Sequence, residues 1–163
     1  MNDFPVNPKN ILIAGLKKFY FIPVEDVLSE PEIYKNKLVA DYTFKDGKIL
    51  YVGYFDKNTG LLNIDDSSAT KFSPIKSSMA GTISDNAAAL DLLFCEMSCK
   101  KFIVFIVDNY KNVRVLGRVD AGATFSFSFS SNDKLSDNAE YKYKFLYESG
   151  CVPPISTQIT DIC

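Results

Sequence analysis

The sequence predicts a mainly β protein: an antiparallel β-sandwich or partly open barrel with one packed α-helix. Three observations carry this prediction. Phenylalanine alternates with serine over residues 125–130, and an aromatic residue alternates with lysine over most of residues 141–147. A period of two places all the rings of one strand on the same side of a sheet. The third observation is a lone helical pattern at about residues 85–99, with apolar residues at helical spacing.

Length and composition fit one soluble domain spanning residues 1–163. The chain has 18 basic and 20 acidic residues, a net charge of −2. This balance provides no bulk attraction to nucleic acid or to an anionic membrane, so we expect no sequence-specific nucleic-acid partner. No stretch approaches the roughly 20 apolar residues that span a bilayer, so we also expect no membrane anchor. The N-terminus lacks the basic-then-apolar order of a secretory signal, which favours a cytoplasmic origin and reduced cysteines.

The strongest strand prediction lies in the second half of the chain. Residues 101–107 form a nearly continuous apolar run, typical of a strand covered on both faces. Residues 108–112 are rich in Asp and Asn and predict a hairpin loop. The returning strand, residues 113–119, alternates between two faces: one carries Val113, Val115 and Val119, and the other carries Arg114, Leu116 and Arg118.

The first half of the chain predicts shorter elements. Residues 1–10 carry two prolines and are interpreted as an extended N-terminal arm. Short strands are predicted at 11–14 and 18–24, then a loop with one helical turn at 25–35. The Asp46-Gly47 pair predicts a hairpin between strands 37–44 and 48–55. A turn at 56–60 leads into a strand at 61–64, and two further strands are predicted at 69–75 and 79–83.

The helix is expected to pack on the aromatic face of the sheet. Ser84 or Asp85 is a candidate N-cap, and Lys100 with Lys101 suits the negative end of the helix dipole. The predicted core consists of side chains from the two aromatic strands and the helix: Phe125, Phe127, Phe129, Tyr143, Phe145, Leu90, Phe94 and Met97.

No catalytic, cofactor-binding or metal-binding residue is predicted. Histidine is absent, which removes the usual base of nucleophilic catalysis and the commonest metal ligand. Cys95 and Cys99 share a helix face, but Cys151 and Cys163 do not supply the second close pair that a structural zinc site needs. The segment 56–60 begins like a calcium loop, but Gly60 stands where a fifth-position ligand is required, so it is interpreted as a hairpin turn.

Five residues are candidates for an interface. Arg114, Leu116 and Arg118 share one predicted strand face, which either faces solvent or contacts a partner, since arginine is enriched at interfaces. Asp65 and Asp66 form an acidic pair that fits a solvated loop better than acid–base catalysis. We expect one of the two arginines to meet one of these aspartates of an adjacent subunit.

Between residues 90 and 154 the chain resembles a family of small structural proteins encoded by phages and prophages of Bacteroidetes-type bacteria. The shared pattern is an apolar strand ending in Asp, a short turn, an Arg-x-Leu-Gly strand, a polar-aromatic strand, and a second aromatic strand with a proline-rich exit. It is carried here by Val107-Asp108-Asn109, Arg114-Val115-Leu116-Gly117, residues 125–129, Asn138-Ala139-Glu140-Tyr141 and Val152-Pro153-Pro154. The family turn usually carries Gly where this chain has Tyr110 or Asn112.

The resemblance implies a tail-tube-like or neck-ring component of a virion, without enzymatic activity. Such a subunit would assemble in the host bacterial cytoplasm, contact copies of itself in a ring, meet other tail, neck or portal proteins, and help to build the DNA passage channel. The alternative is a non-catalytic β-sandwich module that binds carbohydrate or peptide, with Tyr51, Tyr54 or Tyr110 as an aromatic platform.

Overall fold

The computed structural model describes residues 15–65, 74–84, 88–130 and 140–156. Within these ranges the fold is mainly β with one α-helix, and the sheets are not closed into a barrel, which confirms the predicted sandwich-like class. The helix is α1 (Ala88–Ser98), and a short 3₁₀ turn covers Val24–Asp26. The strands are β1 (Leu16–Pro23), β2 (Val27–Ser29), β3 (Ile33–Tyr34), β4 (Lys37–Leu38), β5 (Thr43–Phe44), β6 (Tyr51–Gly53), β7 (Leu61–Asp65), β8 (Ile75–Ile83), β9 (Lys101–Asp108), β10 (Val113–Leu116), β11 (Ala123–Ser130), β12 (Glu140–Ser149) and β13 (Ile155–Ser156).

The main sheet is organised around β9. One edge of β9 pairs antiparallel with β1 along nearly its whole length. Its other edge is shared, because β10 pairs with residues 104–107 and β11 with residues 101–102. The sheet therefore forks there, continuing through β11, β12, β8 and β7 on one branch and through β10, β13, β4 and β3 on the other. Residues 102–107 are at most 1% exposed, which confirms the prediction of a strand covered on both faces.

The branch through β11 is strongly curled around the first core, the cluster of buried side chains that includes Phe19, Tyr143 and Phe145. Phe19 on β1 and Tyr143 on β12 are separated by two intervening strands, which would place them roughly 14 Å apart in a flat sheet. Their ring centroids are only 5.9 Å apart. The backbone amide of Asp56, beyond β6, also donates to the carbonyl of Thr82 on β8. The curl thus brings the two ends of this branch together without closing them into a barrel.

Helix α1 covers the open side of the curled sheet, as predicted from its apolar face. The ring of Phe94 lies 5.2 Å from that of Phe125 and 5.9 Å from that of Tyr143. Phe125, Tyr143 and Phe145 are buried in this core, while Phe127 is half-buried and 5.3 Å from Phe94. The inclusion of Phe129 in the core is wrong, because it is 46% exposed, with its ring 4.8 Å from that of Tyr141.

A second core lies on the opposite face of β9. It is covered by the small two-stranded sheet of β2 and β5 and by the chain between them. Tyr42 is buried there, with its ring 5.4 Å from that of Phe105 in an edge-to-face arrangement. Two layers on either side of one central strand give the fold its sandwich character.

The predicted hairpin around Asp46-Gly47 is wrong in its pairing. The turn exists, with Gly47 at φ +74 and the amide of Lys48 donating to the carbonyl of Lys45. The strands on either side of the turn do not pair with each other, because β5 pairs with β2 and β6 pairs with β1. Tyr42, just before β5, is buried in the second core, which places β5 next to β2. Tyr51 of β6 stacks on Phe21, which places β6 next to β1. The turn at 56–60 likewise joins β6 to β7, which pair with β1 and β8 and form no hairpin with each other.

The β9–β10 hairpin is confirmed, but its second strand is shorter than predicted. The carboxylate of Asp108 accepts hydrogen bonds from the amides of Tyr110 and Asn112, both at 2.8 Å, and so holds the loop. Strand β10 ends at Leu116 because Gly117 adopts φ +92 and a Cβ there would lie 2.4 Å from the carbonyl oxygen of Phe102. Val119 and Arg118 therefore lie beyond the strand.

Several predictions fall on residues outside the described ranges. These are the N-terminal arm at 1–10, the short strand at 11–14, most of the strand at 69–75, and the candidate cap Asp85. The hydroxyl and amide of Ser84, the other candidate cap, both donate to the carboxylate of Asp56. The helical turn predicted within 25–35 lies at Val24–Asp26, and the same segment also contributes β2 and β3.

Candidate functional site: an open sheet edge beside an apolar groove

The predicted Arg114–Leu116–Arg118 face does not exist as an exposed surface. Leu116 is 0% exposed and packs in the first core, so its assignment to an interface is wrong. Arg114 lies on the same side of the sheet and is half-buried, with Nη1 donating to the carbonyl of Pro153 at 3.3 Å. The predicted alternation of β10 side chains between two faces is correct, but both faces of the strand are covered by other elements.

Arg118 is occupied within its own chain. Its Nε lies 2.8 Å from Oε1 of Glu30 and 3.7 Å from the carboxylate of Asp120. Partial burial works to lower the pKa of Arg118, but the carboxylates of Glu30 and Asp120 outweigh it and raise that pKa. The other carboxylate oxygen of Glu30 accepts from the amide of Val119 at 3.0 Å. Asp65 ends β7 at an exposed position, whereas Asp66 lies outside the described residues.

Arg118 lines a cleft of about 420 Å³ between β12 and the segment before β4. Tyr42 and Tyr147 also line it, and burial raises the pKa of both phenols. A higher pKa keeps these hydroxyls protonated, so neither phenol is poised to act as a base. Together with the exposed carboxylate of Asp120, the cleft carries paired charges and no activated nucleophile among the residues described.

Strand β6 is an open edge of the sheet. Among the described strands it pairs only with β1, so its outer backbone groups have no strand beside them there. Its last residue, Gly53, lies under the ring of Phe19, where a Cβ would come within 1.9 Å of the ring. Its other residues and the one after it are apolar or aromatic and exposed: Tyr51, Val52 and Tyr54. Edge strands of soluble proteins are usually protected by short length, charge, proline or a bulge; β6 is only three residues long but carries no charge, proline or bulge.

An apolar groove separates β6 from helix α1. At one end it deepens into a cavity of about 80 Å³, where Gly53 and Tyr54 face Leu90 and Phe94. At the other end a cavity of about 180 Å³ lies between Tyr51 and Met97. Leu93 and Phe21 line both cavities, so the groove is continuous.

The rim of the groove is charged at one end and apolar on the helix side. Lys100 lines the 180 Å³ cavity at the Tyr51 end, with Nζ 3.2 Å from Glu25 and 3.8 Å from Glu96. The hydrogen bond to Glu25 raises the pKa of Lys100. Leu92 on α1 is 74% exposed, which extends the apolar surface beyond the groove. We call β6, the groove and this helix surface the β6–α1 surface.

The sequence identified Tyr51 and Tyr54 as a possible platform, but not the surface to which they belong. The two tyrosines are three residues apart in the sequence, whereas the helix that faces them is more than thirty residues further along the chain. Tyr110, the third candidate, lies in the β9–β10 loop and does not line the groove.

Other chemistry is sparse in the described part of the chain. Cys95, Cys99 and Cys151 are exposed free thiols, and Cys163 lies outside the described residues. No cluster of three or more potential metal ligands occurs within the described ranges. None of the helical structure described there is long and apolar enough to cross a membrane.

Comparisons with protein-family models, with curated proteins and with solved structures found no match for this chain. The fold and the β6–α1 surface define a mainly β protein with an open, apolar sheet edge.

Proposed function

We propose that the protein is a non-catalytic structural subunit of a phage virion that assembles into rings of the tail tube or neck. The observation that supports assembly is the β6–α1 surface, because an open, uncharged strand edge beside exposed apolar side chains is a template for association. In a closed ring, each subunit contacts two neighbours, and such contacts bury surfaces of this kind. The virion setting, the DNA passage channel and the tail, neck or portal partners rest on the resemblance over residues 90–154.

The arginine contacts expected at the interface take a different form in this proposal. Arg118 already has Glu30 as an ion-pair partner within its own chain, so binding Asp65 of a neighbour would require an exchange of partners. Such an exchange supplies little net energy, since the ion pair that is lost offsets the one that is gained. The apolar β6–α1 surface is therefore the main contact in the proposed ring.

The experiment follows assembly of the purified chain by light scattering after size exclusion and by negative-stain microscopy. Val52 is 65% exposed on β6, so Val52→Lys should leave the fold intact and place a charge on the edge. Leu28→Lys, at a position 68% exposed on β2, is the matched control. We expect rings from wild type and from Leu28→Lys, and their loss in Val52→Lys.

Two outcomes contradict the proposal at different levels. Normal rings from Val52→Lys would overturn the role of β6. A wild-type chain that stays monomeric at every concentration, with its virion partners present, would overturn ring assembly itself.

One observation favours a second function, the binding of an extended peptide. The groove lies between an edge strand and a helix, an arrangement in which a peptide can add to the sheet and place alternate side chains in pockets. The 80 Å³ cavity is large enough for one apolar side chain and too small for a drug-sized ligand. Selection of peptides from a library by the wild-type chain, followed by measurement of their binding to Val52→Lys, would test this function. If the monomeric wild-type chain selects no peptide, this function is excluded.

A further inference from the structure

The cleft beside Arg118 is a second concave site, separate from the β6–α1 surface. Its volume is about 420 Å³, and within the described part of the chain it shares no lining residue with either cavity of the groove. Small-molecule sites in proteins typically enclose about 300–1,000 Å³. The walls of the cleft are the β3–β4 turn, the turn at residues 117–121 and the chain at residues 147–154. Its size therefore suits a small ligand or one part of a longer one.

The walls of the cleft are held by backbone hydrogen bonds. Arg118 and Ala121 exchange two amide-to-carbonyl hydrogen bonds of 3.2 Å, which close the turn after β10. The carbonyl of Pro154 accepts from the amide of Val115 at 3.0 Å, and the carbonyl of Asn36 accepts from the first amide of β13 at 3.0 Å. A site whose walls are fixed in advance loses less conformational entropy when a ligand binds.

The charged groups in and beside the cleft are paired with one another. Nε of Arg118 lies 2.8 Å from Glu30 and 3.7 Å from Asp120. The carboxylate of Glu148 lies 3.6 Å from Nζ of Lys76. A charged ligand would compete with these pairs and lose its own hydration, and an anion would also meet the carboxylates of Asp120 and Glu148. The cleft therefore favours a neutral ligand.

The paired groups still offer several hydrogen-bonding atoms to such a ligand. A guanidinium carries five N–H donors and a carboxylate about four acceptor sites, more than the contacts of Arg118 and Asp120 use. Burial raises the pKa of Tyr42 and Tyr147, and the charges of Arg118 and Glu30 also act on both phenols. Two protonated hydroxyls thus lie close to the ion pair, and donors and acceptors are clustered within a few ångströms.

We propose that this cleft binds a neutral sugar unit of an oligosaccharide. Neighbouring hydroxyls on a pyranose ring both donate and accept, so they can contact Arg118 as donor and Asp120 as acceptor at the same time. A trans peptide group directs its N–H and C=O to opposite sides and matches such a cluster less well. The C–H face of the sugar packs on the apolar lining, which includes Ile33, Val152 and Pro154. The inference goes beyond the proposed function and does not depend on it.

NMR titration of the ¹⁵N-labelled full chain tests the site. The probes are the neutral trisaccharides maltotriose, mannotriose and chitotriose, with the cationic chitosan trimer and the anionic trigalacturonate as charged controls. We expect at least one neutral probe to shift the amides of residues 117–121 and 148–152 in a saturable way. The charged controls should bind more weakly. The proposal is overturned if none of the neutral probes shifts these amides, or if a charged trimer binds as tightly as the best neutral one.

Two substitutions of Asp120 test the chemistry of recognition. The Asp120 side chain is 77% exposed, so Asp120→Ala should keep the thermal stability of the wild type and weaken sugar binding by about tenfold or more. Asp120→Asn keeps one acceptor without the charge and should bind with an affinity between the two. Asp65→Ala, at an exposed position on β7, is the matched control and should bind like the wild type.

The variants also separate this inference from ring assembly. Unchanged binding in Asp120→Ala would overturn the assignment of the site. An equal loss in Asp120→Asn and Asp120→Ala would show that charge governs recognition, which contradicts a neutral ligand. Val52→Lys, which should abolish rings, is expected to bind the sugar like the wild type, because Val52 does not line the cleft. Loss of sugar binding in Val52→Lys would contradict a site within one subunit.

Discussion

The hydroxyl of Tyr143 donates a 2.7 Å hydrogen bond to the backbone carbonyl of Tyr54. Tyr143 belongs to β12 and Tyr54 follows β6, and these two strands stand near opposite ends of the curled branch. The bond therefore ties the β6 edge to the far side of the first core. It also places Tyr54 at the mouth of the apolar cavity, where the proposed partner contact begins.

Removal of this hydroxyl should loosen the curl. We expect Tyr143→Phe to lower the free energy of unfolding by about 1 kcal/mol, because the carbonyl of Tyr54 loses its partner while the ring packing is kept. Urea denaturation measures the change. Tyr34→Phe, at an exposed position, is the control and should have no effect. Equal stability of the two variants would show that the bond contributes nothing to the fold.

Alkaline pH should destabilise the protein through its buried tyrosines. Burial raises the pKa of Tyr143 and of Tyr42 above the ordinary phenol value, and nearby Asp56 and Glu30 add to the effect. The neutral phenol is thus the form that the folded state favours. The stabilisation is fully present below pH about 10, the pKa in the unfolded chain, and is lost as the pH rises above it. Denaturation at a series of pH values should show a smaller alkaline loss in Tyr143→Phe.

The contact between Gly53 and Phe19 should tolerate no side chain. Gly53→Ala would place a Cβ within 1.9 Å of the Phe19 ring, which is buried in the first core and cannot swing into solvent. We expect a loss of about 1–3 kcal/mol, typical of overpacking. Gly150→Ala is the matched control, because a Cβ there meets nothing within 4 Å. A thermal shift no larger for Gly53→Ala than for the control would mean that β6 moves freely away from β1.

The alternating aromatic strand β11 should show a steep gradient of stability along its length. Phe125→Ala removes a buried ring and should cost about 3–5 kcal/mol. The same change at the exposed Phe129 should cost less than about 1 kcal/mol. Half-buried Phe127 should lie between the two. A uniform loss at all three positions would contradict the placement of helix α1 over the start of β11.

Arg118 should act within the subunit as well as at any interface. Glu30 is largely buried and Arg118 is about half exposed, so we expect a coupling energy of about 1 kcal/mol after allowance for solvent screening. A double-mutant cycle of Arg118→Ala and Glu30→Ala on the dilute monomer measures it. Asp120→Ala removes only the longer, exposed contact and should be neutral. A coupling near zero would leave Arg118 free for a partner, as the sequence pattern suggested.

The type of each strongly periodic element could be predicted from the local sequence. The apolar run of β9, the alternation of β11 and β12, and the apolar face of α1 are local patterns, and burial on one or two sides of an element follows from such periods. The local sequence also determined where the chain turns, as at Asp108 and Gly47. Side-chain hydrogen bonds to the loop backbone and positive φ values depend on a few adjacent residues.

Strand pairing and the exposure of surfaces, in contrast, depend on how the whole chain folds. Residues 37–55 contain a hairpin turn, yet the strands before and after it pair with different strands. Tyr42 packs against Phe105 on one side, and Gly53 packs against Phe19 on the other. Leu116 shares the predicted strand face of two arginines, a pattern typical of a surface, yet both faces of its strand are covered. Pairing and burial depend on contacts between residues far apart in the chain, where packing energy outweighs local preference. For that reason the β6–α1 surface appears only when the sheet curls and brings the helix across its edge.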